Sequence, residues 1–108
     1  MKDIGEFCIL IPTRNRRHEI ERLLSSILLS TLKPIQVIIV SSGEDISDVV
    51  QKFSDILNIK HIHSKISGQI NQKKLGIASI DPGARWVAFM DDDLLVFPDT
   101  FQIALECI

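Results

Sequence analysis

The sequence predicts an α/β fold, three α/β/α layers on a mostly parallel sheet, and three observations carry that expectation. Four short apolar runs alternate with four segments that repeat apolar residues at helical spacing. The runs are apolar throughout rather than at every second residue, the pattern of strands covered on both faces. Three of them are followed by polar clusters, Pro12 to Arg16, Ser41 to Asp45 and Asp91 to Asp93. In open parallel sheets ligands bind beyond the carboxyl ends of the strands, near the point where strand order reverses.

Taken in order, Phe7 to Ile11 is the first strand, and Pro12, which cannot donate to a ladder, is expected to end it. Thr13 to Arg17 leads into a helix on which Ile20, Leu23, Leu24, Ile27 and Leu28 share one face. Ser30, Thr31 and Pro34 stop that helix. Ile35 to Val40 is a β-branched second strand that runs into the turn Ser41-Ser42-Gly43. Ser47 caps a helix over Asp48 to Leu57, with Val49, Val50, Phe53 and Leu57 inward. Ile59 to His63 is a short third strand. Gln69 to Ser79 is a helix carrying Ile70, Leu75, Ile77 and Ala78, and Asp81-Pro82-Gly83 is a turn. Trp86 to Met90 is the fourth strand, where Trp86 is expected to pack in the core. Pro98 starts a last helix with Phe101, Ile103, Ala104 and Leu105 apolar.

At 108 residues the chain is expected to be one domain, spanning 1–108. With 45% hydrophobic and 24% charged residues it has the material for a core and is not a disordered segment. A formal net charge of −2 gives no basic face for nucleic acid, which is not an expected partner. Cys8 lies inside an apolar run and Cys107 is remote from it, so neither a disulfide framework nor a metal spacing is present. The polar start, the absence of a membrane-length apolar run and the free thiols lead to a cytoplasmic expectation, with peripheral attachment to a membrane left open.

The acidic triplet Asp91-Asp92-Asp93 is the strongest chemical signal. Adjacent carboxylates repel, and a divalent cation relieves the repulsion. Oxygen ligands suit Mg2+ or Mn2+, which also bind phosphate oxygens. If the segment is extended, Asp91 and Asp93 point one way and Asp92 the other. The competing reading is a solvated acidic turn. Placement after Val87-Ala88-Phe89-Met90, at the expected ligand edge, favours function.

At this point the chain resembles the family 2 glycosyltransferases of the GT-A fold. Ile9-Leu-Ile-Pro-Thr-Arg-Asn-Arg16 looks like the family's opening strand and loop. Val37 to Gly43 lies where members carry a strand and Asp-Asp-Gly. Gly68 to Ile77 resembles a segment that often reads Gly-x-x-x-x-Arg-Asn-x-Gly-Ile, and Phe89 to Asp99 resembles the Asp-x-Asp stretch with its downstream Pro-Asp. Each motif is weak alone; four in order span nearly the whole chain.

The resemblance implies a Rossmann-like nucleotide-binding half that takes a nucleotide sugar, UDP-linked by preference, with Mn2+ or Mg2+, for inverting transfer to a hydroxyl acceptor of unknown identity. It implies Pro12, Thr13, Asn15 and Arg16 beside the nucleotide, Thr13 at base and ribose. It puts Asp93 on the metal as main ligand, and Asp91 and Asp92 near ribose or metal. Lys73 would reach base or phosphates. Two departures stand out. Ser41 and Ser42 replace Asp-Asp at the base position, exchanging a carboxylate for hydroxyls that accept or donate. Lys73-Lys74 replaces Arg-Asn, a point charge for a planar fork. The family's acceptor half, source of the general base, is expected to be absent, so the chain alone is expected to be inactive.

The alternative is a non-catalytic nucleotide-sugar-binding or interaction module, with homo-oligomers formed through an uncovered sheet edge and apolar surface. Phosphotransfer folds with Asp-x-Asp place it early in the domain, whereas here it comes late. His61 and His63 share one face of a short strand without an evident third ligand, which favours an ordinary surface or core role.

Overall fold

The computed structural model of the protein describes residues 4–65 and 68–107. Eight elements alternate along the chain. They are β1 (Ile4–Arg14), α1 (Arg17–Leu28), β2 (Lys33–Ser42), α2 (Ser47–Phe53), β3 (Ile59–His63), α3 (Gln69–Ile77), β4 (Trp86–Phe89) and α4 (Thr100–Glu106). The four strands form one sheet in the order β3-β2-β1-β4, with every pairing parallel. From β1 the chain builds outward through β2 and β3, then crosses back to lay β4 on the other side of β1. The reversal of strand order therefore falls between β1 and β4.

Alternation along the central strands sorts their side chains between two layers. Phe7, Ile9, Ile11, Val37 and Ile39 face a core shared with Ile20, Leu23, Leu24 and Ile27 of α1, with Val49, Val50 and Phe53 of α2, and with Phe101 of α4. The Phe7 and Phe101 rings meet at 4.9 Å between centroids. Cys8, Leu10, Ile38 and Val40 face the other way, against Ile62, Ile80, Ala84 and Val87. The three-layer α/β/α expectation holds. Of the α1 stripe read from periodicity, Ile20, Leu23, Leu24 and Ile27 are fully buried and Leu28 is partly buried. Each such side chain contributes about 1.5–3 kcal/mol by leaving water.

Several expectations need correction. Pro12 does not end the first strand: it pairs with Val40, and β1 continues to Arg14. The reason lies in direction. Leu10 offers its carbonyl to Met90 on the β4 side, and Pro12 has the same parity, but the β1–β4 ladder stops at Leu10↔Phe89. The missing Pro12 N–H thus faces a place where no strand remains, and no ladder bond is lost. Helix α2 ends at Phe53, although Leu57 is still buried beyond it. Trp86 is not a core residue. It is 44% exposed, because β4 is an edge strand and Trp86 opens it.

Helix α3 departs furthest from its apolar pattern. Ile70, Leu75 and Ile77 point outward, at 76%, 41% and 51% exposure, and Ala78 is also exposed. The face that meets the sheet carries Gln72 and Gly76 instead. At Gly76 an added Cβ would stand 2.6 Å from the Leu10 side chain, so glycine is what allows the helix to lie this close to β1. Phe89, half exposed, lies beneath Lys73 at the sheet edge.

Candidate donor-binding site

A cleft of about 270 Å³ opens at the carboxyl ends of β1 and β4, where the strand order reverses. It is lined by Pro12, Thr13, Arg14 and Arg16 after β1, by Asp91, Asp92 and Asp93 after β4, and by Gln72 from α3. Two of the three polar clusters at strand ends therefore converge, although almost the full chain separates them.

The acidic segment is a turn rather than an extended strand. β4 stops at Phe89, and the Leu94 N–H reaches back to the Asp91 carbonyl at 3.3 Å. The turn still separates the three carboxylates into two kinds. Asp92 is buried, and its Oδ2 accepts the Thr13 hydroxyl at 2.7 Å. Its Oδ1 lies 3.7 Å from the Arg16 guanidinium, which is itself largely in solvent. Asp91 and Asp93 are exposed, line the cleft, and take part in no side-chain hydrogen bond or ion pair among the described residues. Thr13, expected at base and ribose, has its hydroxyl committed to Asp92.

Asn15 joins the first cluster to the second. It holds a left-handed conformation, φ 52°, which asparagine tolerates better than most residues. Its side-chain oxygen accepts the Glu44 N–H at 2.8 Å, so it braces the β2–α2 loop and does not line the cleft. Gly43, at φ 80°, leaves room for that carboxamide, which a Cβ would strike. Arg17 adds a second tie, from the start of α1 to Asp48 and to the Asp45 carbonyl.

Ser41 and Ser42, expected at the base, are both buried at the end of β2. Their surroundings differ. Ser41 Oγ lies 2.7 Å from His61 Nε2 and 3.3 Å from His63 Nδ1. One hydroxyl lies within hydrogen-bond distance of both ring nitrogens, which accounts for the shared face of the two histidines. Ser42 Oγ has no hydrogen-bond partner among the described residues, and its strand neighbour is the cleft residue Arg14.

Burial holds His61 below its ordinary value of 6.5; Asp45 opposes the shift and His63 reinforces it. The folded chain therefore prefers neutral His61, and the unfolded chain takes up the proton first as pH falls. The resulting stability is complete above about pH 6.5 and is lost as pH drops through the lower folded value. We expect Tm to fall as pH drops below about 6.5, and to fall less in His61→Gln, as read by scanning fluorimetry. Cys8 is buried, and that burial, with the Asp81 charge nearby, pushes its thiol up to about 11. It is an unreactive core thiol, as its apolar setting implied.

Lys73 does not join the cleft; its ammonium lies 5.9 Å from the Phe89 ring centroid. The α3 side chain that does is Gln72, which the sequence expectations did not include, whereas Arg14, on sequence grounds either a diphosphate ligand or a solvated helix entry, does line the cleft. A signal for Gln72 existed. It stands four residues before Gly76, and that spacing puts both on one face of a helix.

An all-parallel sheet with a cleft at its switch point defines a Rossmann-like α/β fold. The sequence model for glycosyl transferase family 2 matches residues 8–108, and the chain belongs to that family. Uncharacterized glycosyltransferases of Rickettsia are among its relatives. One from Rickettsia conorii is 29% identical over 91% of this chain, and one from Rickettsia felis is 28% identical over the same share. The chain spans only 16% of the length of either relative.

Solved structures with the same fold include S. aureus TarS, with a TM-score of 0.83 and 22% identity over 98% of this chain and 19% of TarS. A shorter TarS chain, in complex with UDP-GlcNAc, superposes with a TM-score of 0.79 at 22% identity, over 98% of this chain and 30% of that one. The mannosyltransferase PcManGT from Pyrobaculum calidifontis, in complex with GDP-Man and Mn2+, gives 0.81 at 20% identity over 94% of this chain and 31% of its own.

Proposed function

We propose that these residues form the donor-binding part of an inverting glycosyltransferase that takes a nucleoside diphosphate sugar, UDP-linked by preference, and passes the sugar to a hydroxyl acceptor. The observation that carries this reading is the convergence of Asp91, Asp92 and Asp93 on Thr13 in a cleft at the strand-order reversal. The UDP, UDP-GlcNAc and GDP-Man complexes of proteins with this fold support it.

The residues present fit a divalent cation. Asp91 and Asp93 are oxygen donors free of protein partners among the described residues, and Mg2+ or Mn2+ needs only one or two carboxylates besides phosphate oxygens. When bound, such a cation neutralises charge that develops on the leaving diphosphate.

The protein residues supply the rest. Asp92, held by Thr13, shapes the cleft floor. Arg14 lines the cleft without a carboxylate partner among the described residues and is suited to phosphate or to a base face. Ser42 Oγ, without a hydrogen-bond partner among the described residues, lies buried beside Arg14 and outside the cleft lining. Arg16 screens the rim.

Isothermal titration calorimetry of the 108-residue chain with UDP and with GDP, each with and without Mn2+, tests this. Binding of UDP that requires Mn2+ is the expected result. A folded sample that binds neither nucleotide would end the proposal. Exposed Ile70, Ile77 and Phe89 favour a second property, self-association, which light scattering would register as a mass above that of one chain.

A further inference from the structure

We infer that Gln72 is a positioning residue of this site, a role that rests on the donor-binding reading above. Gln72 is 3% exposed yet lines the cleft. Its side-chain nitrogen donates to the Thr13 carbonyl at 2.9 Å and to the Val40 carbonyl at 2.6 Å. A carboxamide nitrogen has two hydrogens, and both are used. Thr13 belongs to β1 and Val40 to β2, so one amide group bridges adjacent strand ends. Thr13 in turn gives its hydroxyl to Asp92, past the end of β4. Three strand ends are thus connected through Gln72 and Thr13, at the place where the sheet reverses its order.

Helix packing alone does not call for this side chain. A buried amide costs free energy unless its hydrogen bonds are made, whereas an apolar side chain of equal length carries no such cost. A satisfied polar network does something an apolar contact does not: it selects one arrangement of the groups it joins. Here those groups are the Thr13 backbone, which carries the hydroxyl held by Asp92, and Val40, which leads directly into Ser41 and Ser42. A small displacement of Thr13 carries its cleft neighbours Pro12 and Arg14 with it, and misplacement of about 1 Å is enough to cost binding. Lys73, next in sequence, lies over Phe89 and does not share in this.

The test is Gln72→Met, which keeps length and removes both donors. We expect Mn2+-dependent UDP binding to weaken roughly tenfold, the equivalent of a net hydrogen bond, with circular dichroism unchanged. Gln72→Glu, equally long and without donors when ionised, is expected to lose at least as much, and serves if the methionine variant does not fold. The decisive measurement is a double-mutant cycle with Thr13→Val. If Gln72 acts through Thr13, Gln72→Met costs less than about twofold more in that background. A merely structural glutamine gives multiplying losses, or binding within about twofold of wild type, and either result overturns the inference. Wild-type protein that binds while Gln72→Met binds equally well refutes the role of Gln72 alone. Wild-type protein that binds no nucleotide refutes the donor-site reading, and this role with it.

Discussion

Asparagine at both Asp91 and Asp93 is expected to weaken Mn2+-dependent UDP binding by about a hundredfold while leaving the fold intact. Both side chains are exposed, line the cleft and carry no structural bond among the described residues, so little stability is at stake in the free protein. Removing two of three adjacent negative charges also relieves repulsion, so Tm in the absence of metal is expected to hold or rise. Calorimetry for affinity and scanning fluorimetry for Tm read the two effects separately. Undiminished Mn2+-dependent binding in the double variant would move the cation away from this turn. Asp92→Asn should behave differently, losing stability as well as affinity, because Asp92 is the buried member of the triplet with a protein partner.

Thr13→Val is the complementary experiment. Valine matches threonine in shape, so the change removes one buried hydroxyl and leaves Asp92 Oδ2 without its 2.7 Å donor. Hydrogen bonds to charged groups are worth about 1.5–3 kcal/mol, and an acceptor stranded away from water keeps its desolvation cost. We expect a loss of about 2 kcal/mol, or roughly 10 °C in Tm for a chain of this size. Urea unfolding with an unchanged slope would attribute the loss to the native state. Arg16 cannot make up the difference, since its contact with Asp92 is 3.7 Å long and open to solvent. A Tm within a degree or two of wild type would show that the Thr13–Asp92 bond contributes nothing net.

Elements whose side chains answer to a single requirement were legible from the sequence. The β1 and β2 runs and the α1 stripe are apolar because they are buried, and burial was what the pattern reported. The approach of Pro12 to Arg16 and Asp91 to Asp93 was legible too, because parallel topology brings strand ends together. Features that depend on register were not. Pro12 remains in its strand only because β4 stops short beside it, and no local pattern shows where a neighbour ends. The partnership of Ser41 with His61 and His63 needs the Ser41↔His63 pairing of β2 with β3. Helix α3 was read by its apolar residues, but its sheet-facing side is set by closeness, through Gly76, and by polarity, through Gln72. The resemblance drew attention to Lys73, one residue past the side chain that reaches the cleft.

The Thr13–Asp92 bond closes over 79 residues of sequence, and so does the cleft around it. Loop-closure entropy makes so remote a contact costly until the intervening strands are in place. The neighbouring β1–β2 and β2–β3 ladders span shorter stretches and have no need of β4. A chain emerging from the ribosome can therefore pair β1, β2 and β3 before this cleft exists. The proposed donor cleft forms only when β4 joins β1, so a nucleotide that bound it would favour chains with β4 docked over chains without it.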